Sequence, residues 1–349
     1  MSKILFIGQF PPPLHGMSFV NSKLTDILKK TYQLTILPSN KIGDSGFLGK
    51  LIRLLYNLRT SYMIRYDFSI AYIPLQGNFG RALDIIALIF FKILNKKIII
   101  HHHSYVGGIK ISYLMKIIFF VTSKNSCHIF LTKKMQNDFK RNYRINHSLT
   151  LSNALFVECQ PFINSNPSIK RKINIGLLSN LTYAKGTQTF LSLIDSLYIQ
   201  KIKFHAYLAG PCEDLELQNL INYYQTKYKG SFTYIGMADN EEKKIFYKSI
   251  DLFVFPTRYE NEAEPLVIIE SLSYSVPVIA NNIGSLSTLI NKKNGLLISR
   301  DNDFILDTMN FICKYSFKNE KYKNDTYASF LKLKARSKLE FKKITQCIK

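Results

Sequence analysis

Tryptophan is absent from the chain, cysteine occurs five times in 349 residues, and acidic residues number about half the basic ones, 24 against 47. Cys127, Cys159, Cys212, Cys313 and Cys347 are odd in number, widely spaced and never in a C-x-x-C pair. That pattern argues against a disulfide framework or a zinc knuckle and points to a reducing compartment. Long apolar runs are missing as well. The longest, Leu83 to Leu94, is broken by Asp84 and Lys92. It falls short of the ~20 apolar residues that a bilayer-spanning helix needs, so a soluble or peripheral protein is expected. The opening run Ile4-Leu5-Phe6-Ile7 is too short for the core of a signal peptide and reads as a first strand. The shortage of acid leaves a formal charge of +23. Such an excess suits nucleic acid or an anionic membrane surface, where each nearby Lys or Arg contributes about 1 kcal/mol, or it reflects a composition rich in lysine.

Hydrophobic residues make up 46% of the chain, enough for packed cores, and at roughly 150 residues per domain the length suggests two. Strand-like and helix-like stretches alternate throughout, the pattern of an α/β protein with parallel sheets. In the first half, strands are expected at Lys3–Ile7, Gln33–Leu37, Phe68–Ile73, Lys97–His101, Ser126–Leu131 and Ser148–Leu151, with a helix at Ser18–Lys30. Around Phe162–Lys172 the chain turns polar and turn-prone, and an interdomain linker is placed there. A second series follows, with strands at Ile173–Leu178, Lys203–Ala209, Ser231–Ile235, Leu252–Phe255 and Pro277–Ala280. The last stretch, Asp325–Ile348, reads as one or two basic helices.

The segment from Tyr259 to Glu270 carries the most chemistry. Glu262 and Glu270 stand eight residues apart, separated by Ala263-Glu264-Pro265 and an apolar run from Leu266. A buried strand precedes them and another follows, so Glu262 falls on a loop and Glu270 about a turn and a half into a helix. A loop that opens a helix presents free backbone N–H groups, a seat for phosphate. Ala263, Glu264, Leu266 and Val267 can supply such groups, and Pro265 cannot. The two carboxylates can accept hydrogen bonds from hydroxyls on either side of that phosphate. A nucleotide-sugar, with ribose at one end of a diphosphate and a sugar at the other, fits this arrangement. The competing reading is an amphipathic helix with surface acids. The apolar neighbours Ile268, Ile269 and Leu272 weigh against it for Glu270.

The spacing resembles the E-x7-E signature of retaining glycosyltransferases of the GT-B fold, family 4. Further segments carry the same resemblance. Ser179-Asn180-Leu181-Thr182-Tyr183-Ala184-Lys185-Gly186 is similar to the family's G-R-L-x-x-x-K-G stretch, whose Arg and Lys clamp the donor diphosphate. Lys185 and Gly186 match, while Asn180 stands where Arg is expected and brings no charge. The loop Gly8–Gly16 resembles the glycine-containing loop over the diphosphate, with Gly16 lacking a Cβ and so open to close approach; His15 is a weaker candidate. Ala209-Gly210-Pro211 resembles the turn beneath the donor. Among His101, His102 and His103, alternate strand residues point to opposite faces, so the three cannot share one metal. His103, nearest the strand's C-terminal end, is similar to the family histidine that hydrogen-bonds the transferred sugar.

The resemblance implies an α/β GT-B protein: two Rossmann-like domains with parallel sheets facing across a cleft. Residues 1–165 would form the acceptor-side domain and 170–325 the nucleotide-sugar domain, with 326–349 a helix returning to the first. It also implies that Glu262 contacts sugar hydroxyls, Glu270 the ribose, and Lys185 the departing diphosphate, so His103, Glu262 and Lys185 are the catalytic candidates. No cofactor or metal is expected. The activity implied is transfer from a nucleotide-sugar, a UDP-sugar by preference, to an acceptor hydroxyl with retention. The acceptor would be a glycan or a lipid-linked intermediate of bacterial surface polysaccharide assembly.

Basic and apolar residues mingle at Lys50–Arg65 and Ile109–Lys124, which suits cytoplasmic protein held peripherally at the inner face of an anionic membrane, or core helices edged with lysines. Two other classes stay open: a nucleotide-sugar epimerase of the same fold, separable by its indifference to acceptor, and a nucleic-acid-binding protein. Nucleic acid is not the expected partner, because the aromatic-basic modules that stack bases are missing.

Overall fold

In the computed structural model, residues 2–40, 46–75, 80–161, 172–299, 303–314 and 320–349 are described. Two compact units emerge, one of Met1–Phe156 together with Ala335–Lys349, the other of Val157–Lys334. The linker expected at Phe162–Lys172 lies, apart from Lys172, outside the described residues.

The first unit runs β1 (Lys3–Gly8), α1 (Gly16–Leu28), β2 (Gln33–Pro38), α2 (Gly46–Met63), β3 (Ile70–Leu75), α3 (Gly80–Ile93), β4 (Lys97–His102), α4 (Tyr113–Val121), β5 (Ser126–Phe130), α5 (Lys133–Asn142) and β6 (Ser148–Thr150). Its six strands form one sheet in the order β2-β1-β3-β4-β5-β6, with every recorded pairing parallel. Helices covering both faces explain why the central strands are continuous apolar runs rather than alternating ones: all six residues of β3 are buried, whereas edge strand β2 is half exposed. The helix α1 begins two residues earlier than the sequence suggests, because the His15 side chain caps it. His15 Nδ1 accepts from Ser18 N at 3.3 Å, and Ser18 Oγ accepts from His15 N at 2.9 Å.

The second unit continues with β7 (Ile173–Leu178), α6 (Thr187–Ile199), β8 (Phe204–Ala209), α7 (Leu215–Lys227), β9 (Phe232–Gly236), α8 (Asn240–Ser249), β10 (Leu252–Phe255), α9 (Leu266–Ser273), β11 (Val278–Asn281), β12 (Gly295–Ile298) and α10 (Phe304–Lys314). Its sheet is again parallel and six-stranded, ordered β12-β11-β10-β7-β8-β9. The strand β12 is an addition to the sequence reading. It is four residues long, follows the polar turn Asn291–Asn294, and becomes a strand by pairing along β11 from Val278–Gly295 to Asn281–Ile298. The last helix, α11 (Glu320–Ile348), starts five residues before the expected Asp325. Its residues through Lys334 belong to the second unit, where Tyr327 Oη donates to Gln160 O at 2.6 Å. From Ala335 onward it belongs to the first, where Glu340 accepts from Thr150 Oγ1 at 2.8 Å and Ser152 N at 2.9 Å.

Candidate functional site

In an open parallel sheet, ligands bind beyond the carboxyl ends of the strands where the strand order reverses direction. In the second unit that point lies between β7 and β10, which are neighbours although three strands apart in sequence order. The loops leaving those two strands carry Lys185 and Glu262. Lys185 Nζ forms an ion pair with Glu262 Oε1, with the side chains 26% and 7% exposed. Thr257 Oγ1 donates to the same carboxylate oxygen at 3.3 Å, and the Lys185 ammonium lies 4.8 Å from the centre of the Tyr259 ring. The loop after β7 is tied to the one after β10 through Arg258 N, which donates to Ala184 O at 2.8 Å.

Backbone geometry makes this assembly depend on two glycines. Gly186 caps α6 with φ +80°, and a Cβ there would stand 2.2 Å from Pro256 O. Gly284, in the loop after β11, has φ +53°, and its Cβ would meet Glu262 O at 1.9 Å. Only glycine tolerates both the left-handed backbone and the approach. Next to it, Ser285 N donates to Glu262 O at 3.2 Å and Ser285 Oγ to Ala263 O. The backbone around the first carboxylate is thereby fixed from a third loop.

The α9 helix opens at Leu266, so the N–H groups of Leu266, Val267 and Ile268 have no acceptor within the helix, and Pro265 at the cap supplies no side-chain bond. Ala263 and Glu264 are buried just before it. Glu270 lies one turn further in, where Tyr247 Oη donates to its Oε2 at 2.9 Å and to Val267 O at 3.1 Å. Burial first, and the Glu270 charge second, push the Tyr247 phenol well above its ordinary pKa, so it stays a donor. Gly210 follows β8 and is buried, and the Asn180 side chain is exposed after β7. Lys185, Gly186, Glu262, Ala263, Glu264, Leu266, Val267 and Glu270 are thus brought to the strand ends of one sheet. Thr257, Gly284, Ser285 and Tyr247 were not anticipated. Thr257 follows a strand and a proline, and Gly284 sits in a turn after a strand, weak signals that many surface loops share.

His103 and Gly16 belong to the first unit and are described within it. Gly16 opens α1 and is exposed. His103 follows β4, lies against His101 with ring centres 4.1 Å apart and planes tilted by 46°, and keeps Nε2 shut off from solvent with no hydrogen-bond partner among the described residues. Burial, then the nearby His15, lowers its pKa to about 3, so the ring is neutral. His102 points to the other face, where its Nε2 lies 3.0 Å from His128 Nδ1 and its ring stacks on Phe130 at 4.5 Å. His101 bonds Tyr72 Oη through Nδ1 at 3.0 Å. Alternation along the strand therefore sets His102 apart from His101 and His103, which share a face.

The helices α2, α3 and α4 pack side by side in that unit. Their outer faces expose Ile52, Leu55 and Met63 of α2, Ile93 of α3, and Tyr113 and Phe120 of α4, the last two 82% and 77% exposed. Cations stand among them: Arg65 lies 4.3 Å from the Tyr62 ring centre and Lys116 5.4 Å from that of Tyr113. Among the described residues no helix is long and apolar enough to cross a membrane.

Comparison with known proteins bears on both units. Residues 160–327, just under half of the chain and nearly all of the second unit, match the family described as glycosyl transferases group 1. The chain is 29% identical over 140 residues to an uncharacterized 41.2 kDa protein in the cps region of Klebsiella pneumoniae, covering 39% of this chain and 35% of that one. It is 27% identical over 137 residues to the lipopolysaccharide core biosynthesis mannosyltransferase LpsB of Rhizobium meliloti, covering 36% and 37%. The matched stretch thus spans about a third of the length of these curated relatives. In fold, the chain is similar to Anabaena HepE, solved in complex with UDP and glucose, with a TM-score of 0.70 over 99% of this chain and 100% of that one at 14% identity. The architecture is that of the GT-B fold, and the second unit is the part of the chain that matches the group 1 glycosyl transferase model.

Proposed function

We propose that the protein is a retaining glycosyltransferase that takes a sugar from a UDP-sugar and places it on an acceptor hydroxyl, in the assembly of a bacterial surface polysaccharide. The observation that carries this reading is the Lys185–Glu262 pair at the switch point of the second sheet, beside the free N–H groups that open α9. A diphosphate there gains a cation and a helix N-terminus together. Lys185 is then the group that stabilises charge developing on the departing nucleotide. Glu262, held from three loops, orients the sugar hydroxyls, and Glu270, aligned by Tyr247, reads the ribose. The neutral His103 ring, with an unpartnered Nε2, is suited to a hydrogen bond with a sugar hydroxyl rather than to charge stabilisation. No metal is assigned to the reaction.

The donor assignment is supported by HepE, whose structure holds UDP and glucose, and the pathway by LpsB, named for lipopolysaccharide core synthesis. A lipid-linked acceptor, met at the inner face of an anionic membrane, accounts for the apolar and basic outer faces of α2 and α4. A thermal-shift screen of UDP-, GDP- and ADP-sugars tests the donor, since a ligand that binds the folded chain raises its apparent stability. UDP-sugars should give the largest shift, followed by UDP release that requires a glycan acceptor. Nucleotide-sugar conversion at the same rate without acceptor would instead make the protein an epimerase.

A further inference from the structure

Cys127 and Cys347 lie 220 positions apart in sequence, yet the first unit brings their sulfurs together beside the His147 ring. The two thiols and an imidazole nitrogen all lie within 4.8 Å of one another. They come from three separate elements: β5, the residue that precedes β6, and the last turn of α11. Backbone carbonyls on two of them are held by hydrogen bonds. His128 N of β5 donates to His147 O at 3.1 Å, and Lys97 Nζ at the start of β4 donates to Cys347 O. Cys127 is buried, Cys347 half-buried, and His147 exposed, so the cluster opens to solvent on one side.

We propose that Cys127, Cys347 and His147 form a binding site for a thiophilic divalent cation, with zinc as the expected occupant. A tetrahedral zinc with sulfur at about 2.3 Å and nitrogen at about 2.0 Å requires these ligand atoms about 3.5–3.8 Å apart. The ligand atoms, all within 4.8 Å of one another, reach that by relative shifts of roughly 1.3 Å at most. Binding replaces two thiol protons, which leave to solvent, by one M²⁺, so the thiolate charges and the ion cancel. Three protein ligands leave the fourth position to water on the side of His147. The ion would fasten the end of α11 to the sheet of the first unit. It uses none of the residues proposed for the donor, so the two assignments stand or fall separately.

The test uses the full chain carrying Cys159→Ser, Cys212→Ser and Cys313→Ser, so that Cys127 and Cys347 are the two remaining thiols. Titrated with Co²⁺ as the probe, this chain should take up one equivalent and develop a thiolate-to-cobalt charge-transfer band that Zn²⁺ removes. Adding Cys347→Ser should abolish the band, and His147→Ala should weaken binding by tenfold or more. Because Cys347 is on the last helical turn, that variant decides the matter even if replacing buried Cys127 prevents folding. No band with both thiols present, an undiminished band in Cys347→Ser, or a Cys127–Cys347 disulfide found by mass spectrometry in the protein purified under reducing conditions would each overturn the proposal.

Discussion

Removing the Lys185 ammonium does two separable things. It takes a cation from the proposed diphosphate seat, and it strands Glu262, a carboxylate 7% exposed, without its ion-pair partner. Loss of one preorganised electrostatic contact costs about 10²–10³ in rate, so Lys185→Ala should lower kcat/KM by about that factor in steady-state assays. The stranded carboxylate should lower stability by about 1–3 kcal/mol. Combining Lys185→Ala with Glu262→Gln should restore much of the melting temperature and none of the activity; recovery of activity would show that Lys185 acts only as a structural partner. Gly284→Ala is the backbone counterpart. The added methyl meets Glu262 O at 1.9 Å in a left-handed residue, and about 2 kcal/mol or more should be lost, read as a drop in the denaturant midpoint. An unchanged midpoint would mean that the loop after β11 yields easily.

At the scale of elements, the exposed faces of α2 and α4 carry their own prediction. Arg53→Glu combined with Lys116→Glu should reduce co-sedimentation with anionic vesicles, and the wild-type binding should weaken as salt rises, because charge attraction near a lipid surface is screened within about 10 Å at 0.1 M. Equal binding to neutral vesicles would contradict this role. The same two helices mark how far the sequence could be read. Their mixture of apolar and basic residues fits a membrane face and a core edge equally well, and the packing of α2 against α3 and α3 against α4 decides which side chains are left outside. Strands buried on both faces, such as β3 and β10, were legible as short apolar runs because no polar residue interrupts them. The strand β12 was not, since four residues after a polar turn owe their conformation to a partner remote in sequence. The acidic segment announced itself by the eight-residue interval between its two glutamates. The support from Thr257, Ser285 and Tyr247 depends on which loops meet, and a linear pattern holds no record of that. The Cys127–Cys347 encounter is a stronger case: two isolated cysteines gained meaning only when α11 came back to the first sheet.

For the whole molecule, buried histidines make stability a function of pH. His103 and His128 are each held near pKa 3 by burial, then by neighbouring His15 and His147 respectively, while His101 and His102 are held well below the ordinary value by burial and their neighbours. In the unfolded chain these rings titrate near 6.5. Below that pH the unfolded state takes up protons that the folded state refuses, so stability is complete above about 6.5 and declines as pH falls toward 3. Thermal unfolding at pH 7.5 and at pH 5.0 should show a lower transition at pH 5.0, above the range where carboxylates dominate. A His128→Asn variant, though less stable, should depend less steeply on pH between those points. The proposed activity requires the second unit to hold a nucleotide diphosphate through Lys185 and the start of α9, with Glu270 on the ribose. Calorimetric titration of UDP into the wild-type chain, Lys185→Ala and Glu270→Gln tests that most directly. One site is predicted in the wild type, weakened about tenfold or more by each substitution, the fold-change expected when a charge-assisted contact of about 1.5–3 kcal/mol is lost. A wild-type chain that binds no UDP, or variants that bind it as tightly as the wild type, would contradict it.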